Sequence, residues 1–149
     1  MEGKLKKQLA ILRAIVEDGA DTLAIDRALA PIAEAQDPST IAPLLLLLRD
    51  VQDDHGMWSI LHAAEQFDDK TYLSSFLSVL PDVEAIAPKW ASILVMRVLN
   101  SDTYRLELAR QLRDADAAVR RSTKQICERI NSVDPQFLAK TTAVLVAAG

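Results

Sequence analysis

Residues 50–69 read DVQDDHGMWSILHAAEQFDD, and the remainder of the chain can be interpreted outward from them. The stretch holds six carboxylates, both histidines and one of the two tryptophans, but no lysine or arginine. Its second part has an apolar helical period, which predicts a helix over residues 56–68 with Asp54 or His55 as the N-terminal cap. An acidic loop, residues 50–55, therefore leads directly into a helix.

The predicted helix has two faces, because an α-helix turns by about 100° per residue. The face for the core gathers Met57, Ile60, Leu61, Ala64 and Phe67. The other face, at spacing i, i+4, i+7, i+11, gathers Trp58, His62, Glu65 and Asp69. A large aromatic beside acidic groups is typical of a protein-binding surface, although Trp58 could equally fill a gap between helices. The predicted partner-binding residues are Asp53, Asp54, His55, Trp58, His62, Glu65, Asp69 and Tyr72.

The composition predicts a single all-α domain over residues 1–149. Half of the residues are hydrophobic and 26% are charged, as in globular proteins, and only four glycines and six prolines interrupt the chain. The helical periods predict about nine helices. Paired helices that recur every 30 to 40 residues or so favour an irregular, HEAT-like α-solenoid of stacked antiparallel hairpins. A compact helical bundle is the alternative.

Local signals set the expected helix boundaries. Gly19 is expected to end the first helix, and Asp21 to cap the second. Pro31 predicts a kink or a restart within the second helix, and Pro81 is expected to end the fifth. Asp134, followed by a proline, predicts the start of the last helix.

The charge of the chain is unevenly distributed. The formal net charge is −4, but residues 50–88 carry −7 and residues 89–149 carry +4. A negative segment attracts cationic partners and speeds their arrival. It also argues against nucleic acid as the ligand of that surface. The alternative is a solvated acidic face that binds nothing.

The sequence predicts a cytoplasmic protein without a membrane partner. Cys127 is the only cysteine, which excludes an internal disulfide and fits a reducing compartment. Its helical neighbours are apolar, so it is interpreted as a small buried residue. The N-terminus lacks the apolar segment of a signal peptide, and the run Leu44–Leu48 is too short to cross a bilayer.

The chain offers no motif for catalysis. It contains no Walker loop, no Gly-x-Gly-x-x-Gly, no Cys-x-x-Cys and no Gly-x-Ser-x-Gly. His62 and Glu65 lie one helical turn apart and could both contact a metal ion, which keeps a metal-dependent hydrolase as a lesser alternative. A helical di-metal site needs more such units than this chain supplies. No catalytic residue, metal or cofactor is therefore predicted.

Two segments, residues 53–69 and 88–101, resemble a family of small all-helical immunity proteins. These accompany bacterial polymorphic toxins, including those of contact-dependent growth inhibition. The resemblance covers roughly residues 40–102 and implies a cytoplasmic protein that binds and neutralises one toxin domain, usually a nuclease. The matched residues are interpreted as holding the fold; they are His62, Glu65, Trp90, Arg97 and Asn100.

The residues and the resemblance together predict one mechanism. A helical scaffold presents an acidic surface, edged by an aromatic residue, to a basic nuclease domain at the C-terminus of a toxin. Whether the toxin is blocked at its active site or bound elsewhere stays open. A HEAT-like adaptor that binds other proteins and no toxin is the competing interpretation.

Overall fold

The computed structural model describes residues 2–149 and is all-α, as predicted. The protein is 80% helical, and the described residues form nine α-helices and no β-strand. The described residues cluster into two compact units, one ending at Asp68 and the other spanning Asp69–Gly149. The interpretation of residues 1–149 as one domain stays a prediction, as does the solenoid arrangement.

Four helices build the first unit. They are α1 (Gly3–Glu17), α2 (Thr22–Glu34), α3 (Ile41–Leu45) and α4 (His55–Ala64). A 3₁₀ turn, Pro38–Thr40, precedes α3. Helix α2 packs against both α1 and α4, and α3 packs against α4. The apolar face predicted for α4 contributes to this core, where Leu12, Ile32 and Ile60 are almost fully buried.

Five helices build the second unit. They are α5 (Asp69–Ile86), α6 (Pro88–Leu99), α7 (Asp102–Leu112), α8 (Ala117–Val133) and α9 (Leu138–Ala148). Helix α5 packs against α6, α7 and α8, and α9 packs against α7 and α8. The largest buried side chains of this unit are Trp90, Tyr72 and Phe76. Aromatic residues therefore fill the space between its helices.

The predicted stop at Gly19 and the predicted caps at Asp21 and Asp134 are confirmed, whereas Asp54 occupies the N-cap position of α4 without a side-chain capping hydrogen bond. Gly19 follows α1 with φ +74°, a conformation that glycine adopts without steric cost. The Asp21 side chain accepts a hydrogen bond from the N–H of Ala24 at 2.9 Å and so caps α2. Asp134 accepts one from the N–H of Gln136, at the start of the 3₁₀ turn that leads into α9.

The prediction that Pro81 ends the fifth helix is wrong. Helix α5 continues through Pro81 to Ile86. The missing N–H of proline removes one helical hydrogen bond, but Val83 beyond it is 1% exposed. Burial of that residue favours continuation of the helix beyond the proline. Pro31 likewise lies inside α2, which does not restart there.

Helix α4 is shorter than predicted, because it ends at Ala64 rather than at residue 68. The side-chain amide of Gln66 donates to the carbonyl of Ala33 at 3.2 Å, which ties the turn after α4 to the end of α2. Asp69 begins α5 instead. The predicted face of Trp58, His62, Glu65 and Asp69 is therefore divided between α4, the turn after it and α5.

The interpretation of Cys127 as a small buried residue is confirmed. Its side chain is fully buried on α8, and burial raises the pKa of the thiol to about 12. A thiol that stays protonated at neutral pH is a poor nucleophile. No helix in the described part of the chain has the length and apolar character needed to cross a membrane.

Helices α2 and α4 approach closely at Gly56, where a Cβ atom would lie 2.5 Å from Ile25 Cδ1 and 3.4 Å from Ile25 Cβ. We therefore expect Gly56→Val to lower the free energy of unfolding by about 1–3 kcal/mol, since overpacking displaces neighbouring side chains. Urea denaturation measures this. Gly3→Val is the control, because a Cβ there has no atom within 4 Å. Equal stability of the two variants would show that this close approach is not required.

Candidate functional site

The acidic loop between α3 and α4 is anchored at its beginning by Arg49. The Arg49 guanidinium donates from Nη1 to the carbonyls of Leu46, at 2.7 Å, and Leu48, at 2.9 Å. The N–H of Arg49 also approaches Met57 Sδ at 3.4 Å, which links the loop to the first turn of α4. The Arg49 guanidinium also pairs with Glu17, from Nη2 to Oε1 at 4.0 Å, so this cation is engaged by backbone oxygens and by a carboxylate of α1.

Asp53 and His55 form an exposed pair at the entrance to α4. His55 Nδ1 and Asp53 Oδ1 are 2.9 Å apart, and the two side chains are 82% and 74% exposed. The hydrogen bond lowers the pKa of the Asp53 carboxyl and raises the pKa of His55, to which the charge of Asp54 adds. Asp53 is therefore ionised at neutral pH.

Trp58 and His62 provide the aromatic edge of the predicted surface. They lie one turn apart on α4, with ring centroids 6.1 Å apart and ring planes inclined by 41°. Trp58 is half-buried and His62 is exposed. The structure thus places the two rings on the helix that follows the acidic loop, as the helical period predicted.

Three other predicted residues follow this ring pair along the chain. Glu65 is half-buried and directly follows α4, in the first unit, and Asp69 is the half-buried first residue of α5, in the second unit. Tyr72 is 1% exposed and stacks on Phe76 and Tyr104, with centroids 6.0 and 5.9 Å apart. Tyr72 therefore belongs to the core of the second unit, and we do not include it in a binding surface.

The two units differ in charge. The sequence up to Asp68 has twelve acidic and six basic residues, a formal charge of −6. The sequence from Asp69 has nine acidic and eleven basic residues, a formal charge of +2. The acidic loop thus belongs to the unit that carries the negative charge.

A groove in the first unit was not predicted from the sequence. It has a volume of about 280 Å³ and lies between the α1–α2 turn and the acidic loop. Its lining includes Asp21, Ile25, Val51, Asp53 and Met57. The glycine within the predicted α4 was the available signal, because a helical residue without a side chain lets a neighbouring helix approach closely.

A metal centre receives no support from the structure. Among residues 2–149, no group of three or more His, Cys, Asp or Glu side chains is arranged to hold a metal ion.

Comparison with known proteins identifies the family. The family model described as immunity protein 30 (Imm30) matches residues 12–108, from α1 into α7 and over more than half of the chain. The chain therefore belongs to the immunity protein 30 family. Searches of curated proteins and of solved structures gave no significant match. Membership implies that the partner is a toxin protein and that the function is to neutralise it.

Proposed function

We propose that this immunity protein neutralises its toxin by covering a basic nuclease domain with the acidic surface of its first unit. We define the acidic surface as Asp50, Asp53, Asp54, His55, Trp58, His62 and Glu65. The observation that carries the proposal is the exposed, ionised carboxylate of Asp53, in a segment (residues 50–69) where Lys and Arg are absent from the sequence, on a unit of formal charge −6. Asp69, on the second unit, stays a predicted contact.

Electrostatics would make this surface selective for a nuclease. A nuclease must bind phosphates, so its active site is usually rich in lysine and arginine. Carboxylates that cover such a site take the place of the phosphates and block the substrate. Long-range attraction between the two surfaces would also speed association, and salt would slow it.

The aromatic edge would supply the short-range part of the binding energy. Trp58 is half-buried on α4, with His62 beside it. A tryptophan partly fixed by its own helix loses little conformational freedom when a partner covers it, which is why such residues are frequent hot spots. We propose that the toxin covers Trp58 and that the carboxylates of the loop surround this contact.

We also propose the setting in which the protein acts. The toxin would be the C-terminal domain of a large bacterial protein delivered by contact-dependent growth inhibition. The immunity protein would meet it in the cytoplasm, where the nucleic acids that a nuclease attacks are found.

The experiment is co-expression of this chain with the C-terminal fragment of the toxin encoded beside its gene. We expect the two proteins to co-purify, and we expect the complex to spare nucleic acid that the free fragment degrades. Loss of cell viability without nucleic-acid degradation would contradict the assignment of the toxin as a nuclease. The assignment of the partner as a toxin would still hold. Failure to co-purify would contradict the proposal itself.

The His55–Asp53 pair predicts a pH dependence of association. Protonated His55 offsets the charge of Asp53, and this pairing raises the pKa of His55 above its ordinary value. As pH rises through that pKa, the acidic surface gains one net negative charge. We expect the association rate with the toxin fragment to increase by roughly two- to fivefold between about pH 6 and about pH 8. Stopped-flow fluorescence measures it.

The control for this pH dependence is His55→Gln, which cannot titrate. The toxin fragment titrates identically in both experiments, so the difference between the two pH profiles belongs to His55. We expect a flatter profile for the variant. Superimposable profiles would show that His55 does not face the toxin.

A further inference from the structure

The groove between the α1–α2 turn and the acidic loop combines apolar walls with two carboxylates. Ile25 and Met57 are 4% and 3% exposed and line it from α2 and α4. Val51, in the loop, is 46% exposed, and Asp21 and Asp53 lie at the solvent side. Among residues 2–149, no lysine or arginine lines this groove.

Both carboxylates are fixed by contacts of their own. Asp21 accepts the N–H of Ala24 at 2.9 Å as the cap of α2, and Asp53 is paired with His55. These hydrogen bonds restrain the two side chains before any partner arrives. Preorganised groups lose less entropy on binding than flexible ones.

The size of the groove suits one side chain. Its volume of about 280 Å³ lies at the lower limit for sites that hold a small molecule, while it far exceeds the space that a single water molecule needs. Lysine and arginine carry a long apolar stem that packs on hydrophobic surface and a cationic head that seeks carboxylates. The apolar stem matches the walls of the groove, and the cationic head matches the two carboxylates at its solvent side.

We propose that the groove receives one basic side chain of the toxin, arginine or lysine. The stem would lie against Val51, Ile25 and Met57, and the cation would contact Asp21 and Asp53. This inference rests on the proposed function, and it adds a specific contact to the general attraction of the acidic surface. Asp21, which the sequence indicated only as a helix cap, would thereby contribute to toxin recognition.

A second groove of the same unit provides the comparison. It has a volume of about 350 Å³, and its lining includes Lys4 together with Glu2, Glu34 and Asp37. A base is already present there, so a cationic side chain has less reason to enter. Asp37 also resembles Asp21 in its local role, because it accepts the N–H of Ser39 at 2.9 Å at the start of a helical turn.

The test compares Asp21→Asn with Asp37→Asn. Asparagine caps helices about as well as aspartate, so each variant loses one charge and retains its cap. The loss of one charge from the same unit should slow association with the toxin fragment similarly in both. We expect only Asp21→Asn to increase the dissociation rate, by about tenfold or more, because it alone removes a partner of a bound cation. Surface plasmon resonance separates the two rates.

One further variant and an alanine scan of the toxin fragment make the result specific. Ala20→Phe places a ring at a half-buried residue that lines the groove, and we expect it also to increase the dissociation rate. Alanine substitution of each lysine and arginine of the toxin fragment should find one residue whose effect disappears in the Asp21→Asn background, which is the signature of direct contact. Thermal unfolding of each variant controls for folding.

The groove and the wider proposal fail in different ways. Equal dissociation rates for Asp21→Asn and Asp37→Asn, with wild-type binding by Ala20→Phe, would overturn the groove proposal alone. Absence of any complex with the toxin fragment would overturn both. Coupling of Asp21 to a basic toxin residue would support both.

Discussion

Replacement of Trp90 by alanine is expected to lower the free energy of unfolding by about 3–5 kcal/mol, which is a large fraction of the stability of a small protein. Trp90 is 1% exposed on α6, in the unit where that helix packs against α5, α7 and α8. Removal of the indole leaves a cavity that close-packed helices can fill only in part. Chemical denaturation followed by circular dichroism measures the loss.

Trp58→Ala is the matched control for this prediction. It removes the same side chain, but from a half-buried residue at the edge of the core of the first unit. We expect a clearly smaller loss of stability than for Trp90→Ala, because less buried surface is lost. A similar loss for both tryptophans would contradict the assignment of Trp90 to the core and of Trp58 to the surface.

Neutralisation of Asp53 and Asp54 together, by Asp53→Asn and Asp54→Asn, is expected to slow association with the toxin fragment by about tenfold or more at low salt. The same double variant should show a weaker dependence of the association rate on salt, since fewer charges remain to be screened. Both residues lie in the last part of the acidic loop, directly before α4. Stopped-flow kinetics at several salt concentrations measures both effects.

The control for the double variant of Asp53 and Asp54 removes two negative charges from another part of the first unit. Asp26 and Glu34 are exposed residues of α2 outside the acidic surface, so Asp26→Asn with Glu34→Gln gives the same net charge. We expect this control to slow association far less. Equal effects of the two pairs would mean that total charge, rather than the acidic surface, governs association.

The fold was most predictable where the structure depends on neighbouring residues. Gly19 and Asp21 are confirmed as stop and cap because each acts on the backbone within a few residues. Pro81 was misinterpreted because its local cost does not end a helix whose next turn is buried, and Val83 beyond it is 1% exposed. A tertiary contact of that kind leaves no local signal.

In the candidate site, too, the features set by nearby residues were predictable and those set by contacts between helices were not. The ring pair of Trp58 and His62 follows from helical spacing alone. Tyr72 was predicted on the surface, but it stacks on Tyr104, a residue of α7 that the period of α5 could not identify as its partner. The groove depends on the approach of Gly56 to Ile25, two residues from different helices.

Hydrogen–deuterium exchange of the complex with the toxin fragment tests most directly whether the acidic surface is the docking site. The account predicts that toxin binding slows amide exchange in the acidic loop and in α4, with little change at the second groove of the first unit. Protection confined to the second unit, with unchanged exchange over residues 50–64, would contradict it.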